Sequence, residues 1–252
     1  MSAVDQQPAL PVLYLRSVLF WLGFATFTLV FAFLLVLSFP FPLEKRFALT
    51  RAWSSATIRW LNITCNLRHE VQGTENIPDR AGIIFAKHQS TWETLILNFW
   101  FEKQSWVVKR ELLWVPVFGW GMYMMNPIAL NRGSGKKAVD QLVEQGRERL
   151  DKGNWIVIFP EGTRTAPGTK GRYRMGGAIL AERTGASITP IAHNAGEYWP
   201  RRKFVKRPGV IKIRIGPSIN TKNKPAKEIL AEAEHWIESE MARITTLQTA
   251  RR

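Results

Sequence analysis

From Ser17 to Phe39 the chain reads SVLFWLGFATFTLVFAFLLVLSF, 23 residues without a charged side chain. At about 1.5 Å rise per residue, a helix of that length reaches across a hydrocarbon layer of roughly 30 Å. A segment apolar on every face has no side to turn toward water, so it constrains the fold more than any other stretch. A cleaved signal peptide would have a shorter apolar region followed by a small-x-small site, whereas this run ends in Pro40-Phe41-Pro42. A core helix of a soluble domain would keep a polar stripe. The reading is a membrane-embedded helix. Its Pro-rich exit leaves two forms open, a full crossing or a helical hairpin that enters and returns. Arg16 precedes the run, while Lys45, Arg46, Arg51 and Arg59 follow it. That asymmetry places the remainder on the cytoplasmic side.

Charge points the same way. Thirty-five Lys and Arg against 20 Asp and Glu give a formal net charge of +15. Such an excess calls for an anionic partner: nucleic acid, an anionic membrane surface or a phosphorylated substrate. Eleven Trp favour a membrane interface, where amphipathic indoles concentrate. Cys65 is the only cysteine, which rules out an intrachain disulfide and a Cys-based zinc site. His69, His193 and His235 lack ligand spacing, so no metal site is expected. Tyr198–Lys224 carries nine basic residues and no acidic one, interrupted by Trp199 and Phe204. It is expected to lie against anionic headgroups.

After Thr50 short apolar runs alternate with amphipathic stretches. Strands are expected at 82–86, 106–108, 128–130, 155–159, 187–192 and 210–215, and helices at 135–150, 175–183 and 225–244. This alternation predicts an α/β fold, a largely parallel sheet flanked by helices, behind the N-terminal membrane-embedded helix or helical hairpin. The expected organisation is an anchor and connection over 1–60, an α/β domain over 61–247 and a frayed tail over 248–252.

Two strand ends carry chemistry. Ala86-Lys87-His88-Gln89-Ser90-Thr91-Trp92-Glu93 follows the first strand, where open α/β sheets place their sites. His88 can serve as a general base if a carboxylate orients its ring. Five residues along a helix turn about 500°, so His88 and Glu93 meet only if the histidine stays in the loop and the acid enters the first helical turn. Ser90-Thr91-Trp92-Glu93 also fits a capping box, in which Glu93 binds backbone and does no chemistry. On these residues alone both readings stay open. The second stretch is Phe159-Pro160-Glu161-Gly162-Thr163-Arg164. Here Gly162 permits a tight turn, Thr163 offers a hydroxyl and Arg164 can bind phosphate bidentately. An ordinary strand-to-loop turn closed by a surface ion pair is the plainer alternative.

Together, in this order, the two stretches resemble the glycerolipid acyltransferases, specifically the 1-acylglycerol-3-phosphate (lysophosphatidic acid) acyltransferases. His88 and Glu93 match the family's histidine–acid motif, and Phe159–Arg164 matches its Phe-Pro-Glu-Gly-Thr-Arg block without change. Ala129-Leu130-Asn131-Arg132-Gly133 matches the motif with an Arg after a short strand. Ile188-Thr189-Pro190-Ile191-Ala192 matches the strand carrying a Pro. Lys109-Arg110-Glu111-Leu112 and Pro116-Val117-Phe118-Gly119 resemble the segment between motifs. The likeness spans roughly residues 70 to 220. One departure is Glu93, where the family usually has Asp.

The resemblance implies that His88 takes the proton of a lysophospholipid hydroxyl as its oxygen attacks an acyl thioester, on coenzyme A or acyl carrier protein. Glu93 would orient the ring, and backbone amides near Gly162 would face the oxyanion. Arg132, Glu161, Gly162, Thr163 and Arg164 would bind the acceptor. No cofactor or metal is implied, and the expected location is a bacterial inner membrane. Ser90 lacks a nucleophile-elbow context and is not expected to form an acyl-enzyme. Arg132-Gly133-Ser134-Gly135-Lys136 falls short of a phosphate loop, because Leu130 stands where Gly is needed. The alternatives are another lysolipid acceptor, such as a lyso-ornithine lipid or lysophosphatidylglycerol, and a non-catalytic lipid-binding relative. Nucleic-acid binding would rest on net charge alone, and no such partner is expected.

Overall fold

The computed structural model describes residues 8–247; the expected frayed tail over 248–252 lies outside the described residues. Helix α1 (Leu10–Leu37) contains nearly all of the apolar run and begins seven residues before it. The chain turns at Ser38–Pro42, and α2 (Leu43–Cys65) returns along α1. The pairing is antiparallel: Trp60 Nε1 donates to Leu19 O at 3.0 Å and Trp53 Nε1 to Thr28 Oγ1 at 3.3 Å. Gly23 makes room for this contact, since a Cβ there would fall 2.1 Å from Trp60 Nε1. α1 and α2 together form an antiparallel helical hairpin.

The two helices differ in what they expose. Leu15, Leu22, Leu29, Val30, Phe33 and Leu37 of α1 are exposed. The outward side of α2 carries Arg51, Ser55, Arg59 and Asn62 beside an exposed Ile63. Inward, α2 buries Ser54, Thr57, Ile58, Leu61, Thr64 and Cys65, a face of mostly small side chains.

Behind the hairpin lies a seven-stranded sheet, built from β1 (Leu67–Gln72), β2 (Ile83–Ala86), β3 (Gln104–Lys109), β4 (Ile128–Leu130), β5 (Trp155–Ile158), β6 (Ile188–His193) and β7 (Gly209–Ile215). Its order is β1-β7-β6-β2-β5-β3-β4, and every neighbouring pair is parallel except β6 with β7. Successive residues of β2 face opposite layers, as strand geometry requires. Ile83 and Phe85 pack with α5 (Lys136–Asp151), α6 (Gly176–Thr184) and α8 (Ala226–Ile244). Ile84 and Ala86 pack with α2, α3 (Trp92–Ile96) and Phe20 of α1. The expected α/β architecture is the observed one, and the six expected strands and three expected helices form with edges within two residues of those expected.

Four of these helices and strands were not foreseen. β1 alternates Leu67, His69 and Val71 with polar residues at the sheet's edge. α2 hides its period because its buried face is rich in Ser and Thr. α4 (Phe118–Met124) contains two glycines and follows Val117, held at φ +65°. The fourth is the short helix α7 (Ala195–Tyr198).

α1 is fastened to the domain near both ends. Toward its start, Lys206 N donates to Ser17 Oγ at 2.9 Å and Trp21 Nε1 donates to Phe204 O at 3.0 Å. The Lys206 ammonium donates to the carbonyls of Lys203 and Phe204 at 3.0 and 2.7 Å and lies 4.4 Å from the centre of the Trp21 ring. Lys206 is therefore fully buried, a correction to the expectation that the whole basic stretch faces headgroups. Toward the other end, α4 packs on α1, with Gly121 against Ala32 and Leu35.

Candidate active site

β2, β5 and β6 are neighbouring parallel strands, so their C-terminal ends deliver Lys87–His88, Phe159–Arg164 and His193 to one edge of the sheet. His88 stays in the loop and Glu93 lies in the first turn of α3, the arrangement the spacing required. His88 Nδ1 is 2.8 Å from Glu93 Oε1. The same oxygen receives the amides of Gln89 and Ser90 at 2.9 and 2.8 Å, and Ser90 Oγ accepts from Trp92 N at 3.2 Å. The two sequence readings were not exclusive, for one carboxylate holds both the ring and the loop. Glu93 is fully buried. Burial pushes its carboxyl up, but the His193 and His88 imidazoles and the Ser90 amide outweigh that and hold it below the usual value. The His88 ring stacks on Phe159, centroids 3.8 Å apart and planes 10° from parallel.

His193 supports this loop from β6. Its Nε2 is 2.8 Å from Lys87 O, and its Nδ1 accepts from Ala195 N at 3.3 Å. Those partners fix a neutral ring protonated on Nε2. Burial pushes its pKa down, which agrees with the neutral form.

Glu161, expected to hold the acceptor, points inward and its carboxylate is saturated. Oε1 receives Lys87 Nζ at 2.7 Å, Thr165 Oγ1 at 3.2 Å and Gly171 N at 3.3 Å, and Oε2 receives His88 N at 2.9 Å. Lys87 Nζ also donates to Glu238 Oε1 of α8 at 2.8 Å, where Tyr173 Oη donates at 2.9 Å. Burial and the neighbouring carboxylates push the Tyr173 phenol up, so it stays a donor. Lys87 was not singled out from sequence; its position directly before His88 at a strand end was the available signal.

Gly162 sits at φ +68°, and its N–H donates to Phe159 O at 2.9 Å, closing the turn. Thr163 is exposed, and its Oγ1 accepts from Arg201 Nη1 at 3.4 Å. Arg201 Nη1 also donates to Arg164 O at 3.2 Å. Arg164 Nε is buried with no hydrogen-bond partner among the described residues, and burial pushes its guanidinium below the usual value. Arg201 lies too far along the chain for motif spacing to have placed it here. Arg132 opens a short turn after β4; its side chain lies outside what the structure describes.

His88, Gly162, Thr163, Arg164 and Arg201 border a cavity of about 650 Å³. Much of its wall is apolar, formed in part by Phe24, Phe31 and Leu35 of α1, Trp53 of α2, and Met122 and Met125. Glu161 is absent from that lining. The edge thus combines an imidazole held by an ionised acid, cationic groups beside it and a largely apolar cavity. That combination suits proton abstraction from a hydroxyl next to an anionic group, with a hydrocarbon chain held nearby.

Comparison with known proteins agrees with this chemistry. Residues 68–194 match the family model described as Acyltransferase. The 1-acyl-sn-glycerol-3-phosphate acyltransferase of Pseudomonas aeruginosa is 41% identical over 240 residues, covering 93% of each chain. That of Saccharomyces cerevisiae is 30% identical over 179 residues, 69% of this chain and 59% of the yeast protein. Among solved structures, the 1-acyl-sn-glycerophosphate (LPA) acyltransferase of Thermotoga maritima superposes with a TM-score of 0.76 over 93% of this chain and 97% of that one, at 19% identity, a likeness of fold. With the histidine–acid pair and the intact Phe159–Arg164 block in place, the chain belongs to the acyltransferase family, among its 1-acyl-sn-glycerol-3-phosphate acyltransferases.

Proposed function

We propose that the chain transfers an acyl group from a thioester to the free hydroxyl of lysophosphatidic acid, yielding phosphatidic acid. The observation that carries this reading is the His88–Glu93 pair opening onto an apolar cavity partly walled by the hairpin. With Glu93 ionised, the His88 proton resides on Nδ1, and Nε2 keeps its lone pair for the acceptor hydroxyl. Oxygen attacks the thioester carbon as its proton passes to Nε2. The tetrahedral intermediate collapses, the carbon–sulfur bond breaks, and the imidazolium returns the proton to the departing thiolate. Arg164 and Arg201 flank this point as cationic partners for the acceptor phosphate. Glu161 acts through His88, whose amide it holds. The donor is acyl-coenzyme A or acyl carrier protein, and no step runs through a metal or redox cofactor.

The anchor is read as a hairpin lying in one leaflet. α1 spans about 42 Å at 1.5 Å per residue, yet it is bound to the domain near both ends. A crossing helix would carry one of those contacts to the far side. An anchor that never crosses leaves the domain on the cytoplasmic face where it was made. Arg201, Arg202, Lys203 and Arg207 are exposed beside the start of α1 and face anionic headgroups, each contributing about 1 kcal/mol.

The deciding experiment follows a labelled acyl group from acyl-coenzyme A, and separately from acyl carrier protein, to lysophosphatidic acid in membranes containing the wild type or His88→Ala. A positioned general base is worth about 10²–10⁴-fold, so activity should fall by that factor. Activity that survives in the variant would move the chemistry elsewhere. Transfer to other lysolipids alone would replace the acceptor, and transfer to none would leave a binding protein.

A further inference from the structure

We propose that the segment from Arg110 to Met124 is a second membrane-inserting surface, remote in sequence from the hairpin and seated beside it. The inference rests on the reading of α1 as a membrane anchor. Within this segment Trp114, Val115, Trp120 and Tyr123 are exposed and lie outside the cavity lining, Trp114 to 71% and Tyr123 to 64%. Scattered apolar residues on a protein surface mean little, but a contiguous group of large ones marks a contact.

Position identifies the partner. Gly121 brings α4 close to α1, for a Cβ there would lie 3.5 Å from that of Ala32. Arg46 locks the far end: its guanidinium donates to Met124 O at 3.2 Å and to Phe39 O and Phe41 O of the hairpin turn at 2.6 and 3.1 Å. The C-terminal end of α4 is therefore tied to the hairpin turn, where Phe39 and Phe41 are exposed, and the exposed rings of the segment lie along the flank of α1 and beside that apolar turn. A bilayer that wets one set reaches the other.

Composition agrees with a bilayer more than with a protein partner. Two Trp and one Tyr are side chains of the membrane interface, and exposed Lys109 and Arg110 at the segment's start supply charge for headgroups. Val117, a β-branched residue at φ +65° with Phe118 N donating to Pro116 O at 2.7 Å, makes the sharp turn between the two parts. The inner side of the same segment lines the cavity through Leu112, Phe118 and Met122. It thus stands between the bilayer and the acyl slot, and a chain drawn from the membrane would pass along it without entering water.

The test uses the full chain with Cys65→Ala, carrying an environment-sensitive fluorophore at one introduced thiol, in vesicles of phosphatidylethanolamine and phosphatidylglycerol. Trp114→Cys and Trp120→Cys report on the segment, Phe33→Cys on α1 and Ser55→Cys on the polar side of α2. Labels at 114 and 120 should lose fluorescence to brominated acyl chains as the label at 33 does, while the label at 55 loses it to aqueous iodide. Iodide quenching at 114 and 120 with bromolipid quenching at 33 would overturn the proposal and spare the anchor. Protection from both quenchers would overturn it in favour of a second copy of the chain. Iodide quenching at 33 as well would sink the anchor reading and this inference together.

Discussion

His88 Nδ1 and the amides of Gln89 and Ser90 converge on one oxygen of Glu93, so the acid sets the imidazole and the loop that carries it in a single act. Glu93→Gln keeps the length but loses the charge and places N–H groups against N–H groups. Turnover should fall by about 10²–10⁴-fold, with the loop loosened as well. Glu93→Asp, the residue usual in the family, keeps the charge and should retain far more activity. Equal losses in acyl-transfer assays would show that length matters more than charge.

Lys87 joins two carboxylates, the buried Glu161 and the half-buried Glu238. Lys87→Met would leave them facing one another without a cation, at a cost of about 3–5 kcal/mol. Glu238→Gln keeps an acceptor for Lys87 and Tyr173 and should cost less. Thermal melts in detergent give the order, and a milder melt for Lys87→Met would contradict it.

Burial brings the Lys206 ammonium from 10.5 down to about 8. Between those values the unfolded chain holds a proton that the folded chain has released, so this group's contribution to stability rises with pH. The melting temperature of the wild type relative to Lys206→Met should therefore climb from about pH 8 to about pH 10.5. A flat difference would uncouple the ammonium from folding.

His193 runs in the acid direction. Its pKa is pushed below the usual 6.5, so the folded chain stays neutral where the unfolded chain protonates. Its contribution is complete above pH 6.5 and is lost as pH falls through the depressed value. His193→Gln, which can still donate to Lys87 O, should flatten the acid limb of the melting profile; an unchanged limb would place the proton elsewhere.

If the cavity holds the acyl chain, narrowing it at Met122 should shift chain-length preference. Met122→Trp should lower transfer from long-chain donors relative to short ones. An unchanged ratio across a donor series would move the chain out of this slot.

The sequence exposed the fold where periodicity was strong and the chemistry where residues were dense. β2 and β5 are continuous apolar runs, as strands covered on both faces must be, and each led directly to a candidate site residue, whereas His193 at the end of β6 was not singled out for the site. α2 stayed hidden because close packing against α1 uses Ser54, Thr57 and Thr64, which carry no apolar stripe. β1 lies at an edge and alternates weakly. Glu161 was misplaced for a different reason: its surroundings come from Lys87 and, through it, from Glu238 on the last helix, and local spacing holds no trace of such a partner. Arg201 reached the site through tertiary structure alone.

With α1 seated in a bilayer as proposed, its attachment by Ser17 near one end and Ala32 toward the other would hold the site edge at a fixed height over the lipid. It could not reach into solution as a domain on a flexible leash would. An enzyme so mounted works in two dimensions, and its rate should follow the surface density of lysolipid among its neighbours, diluted by inert lipid and indifferent to the volume of water around the vesicle.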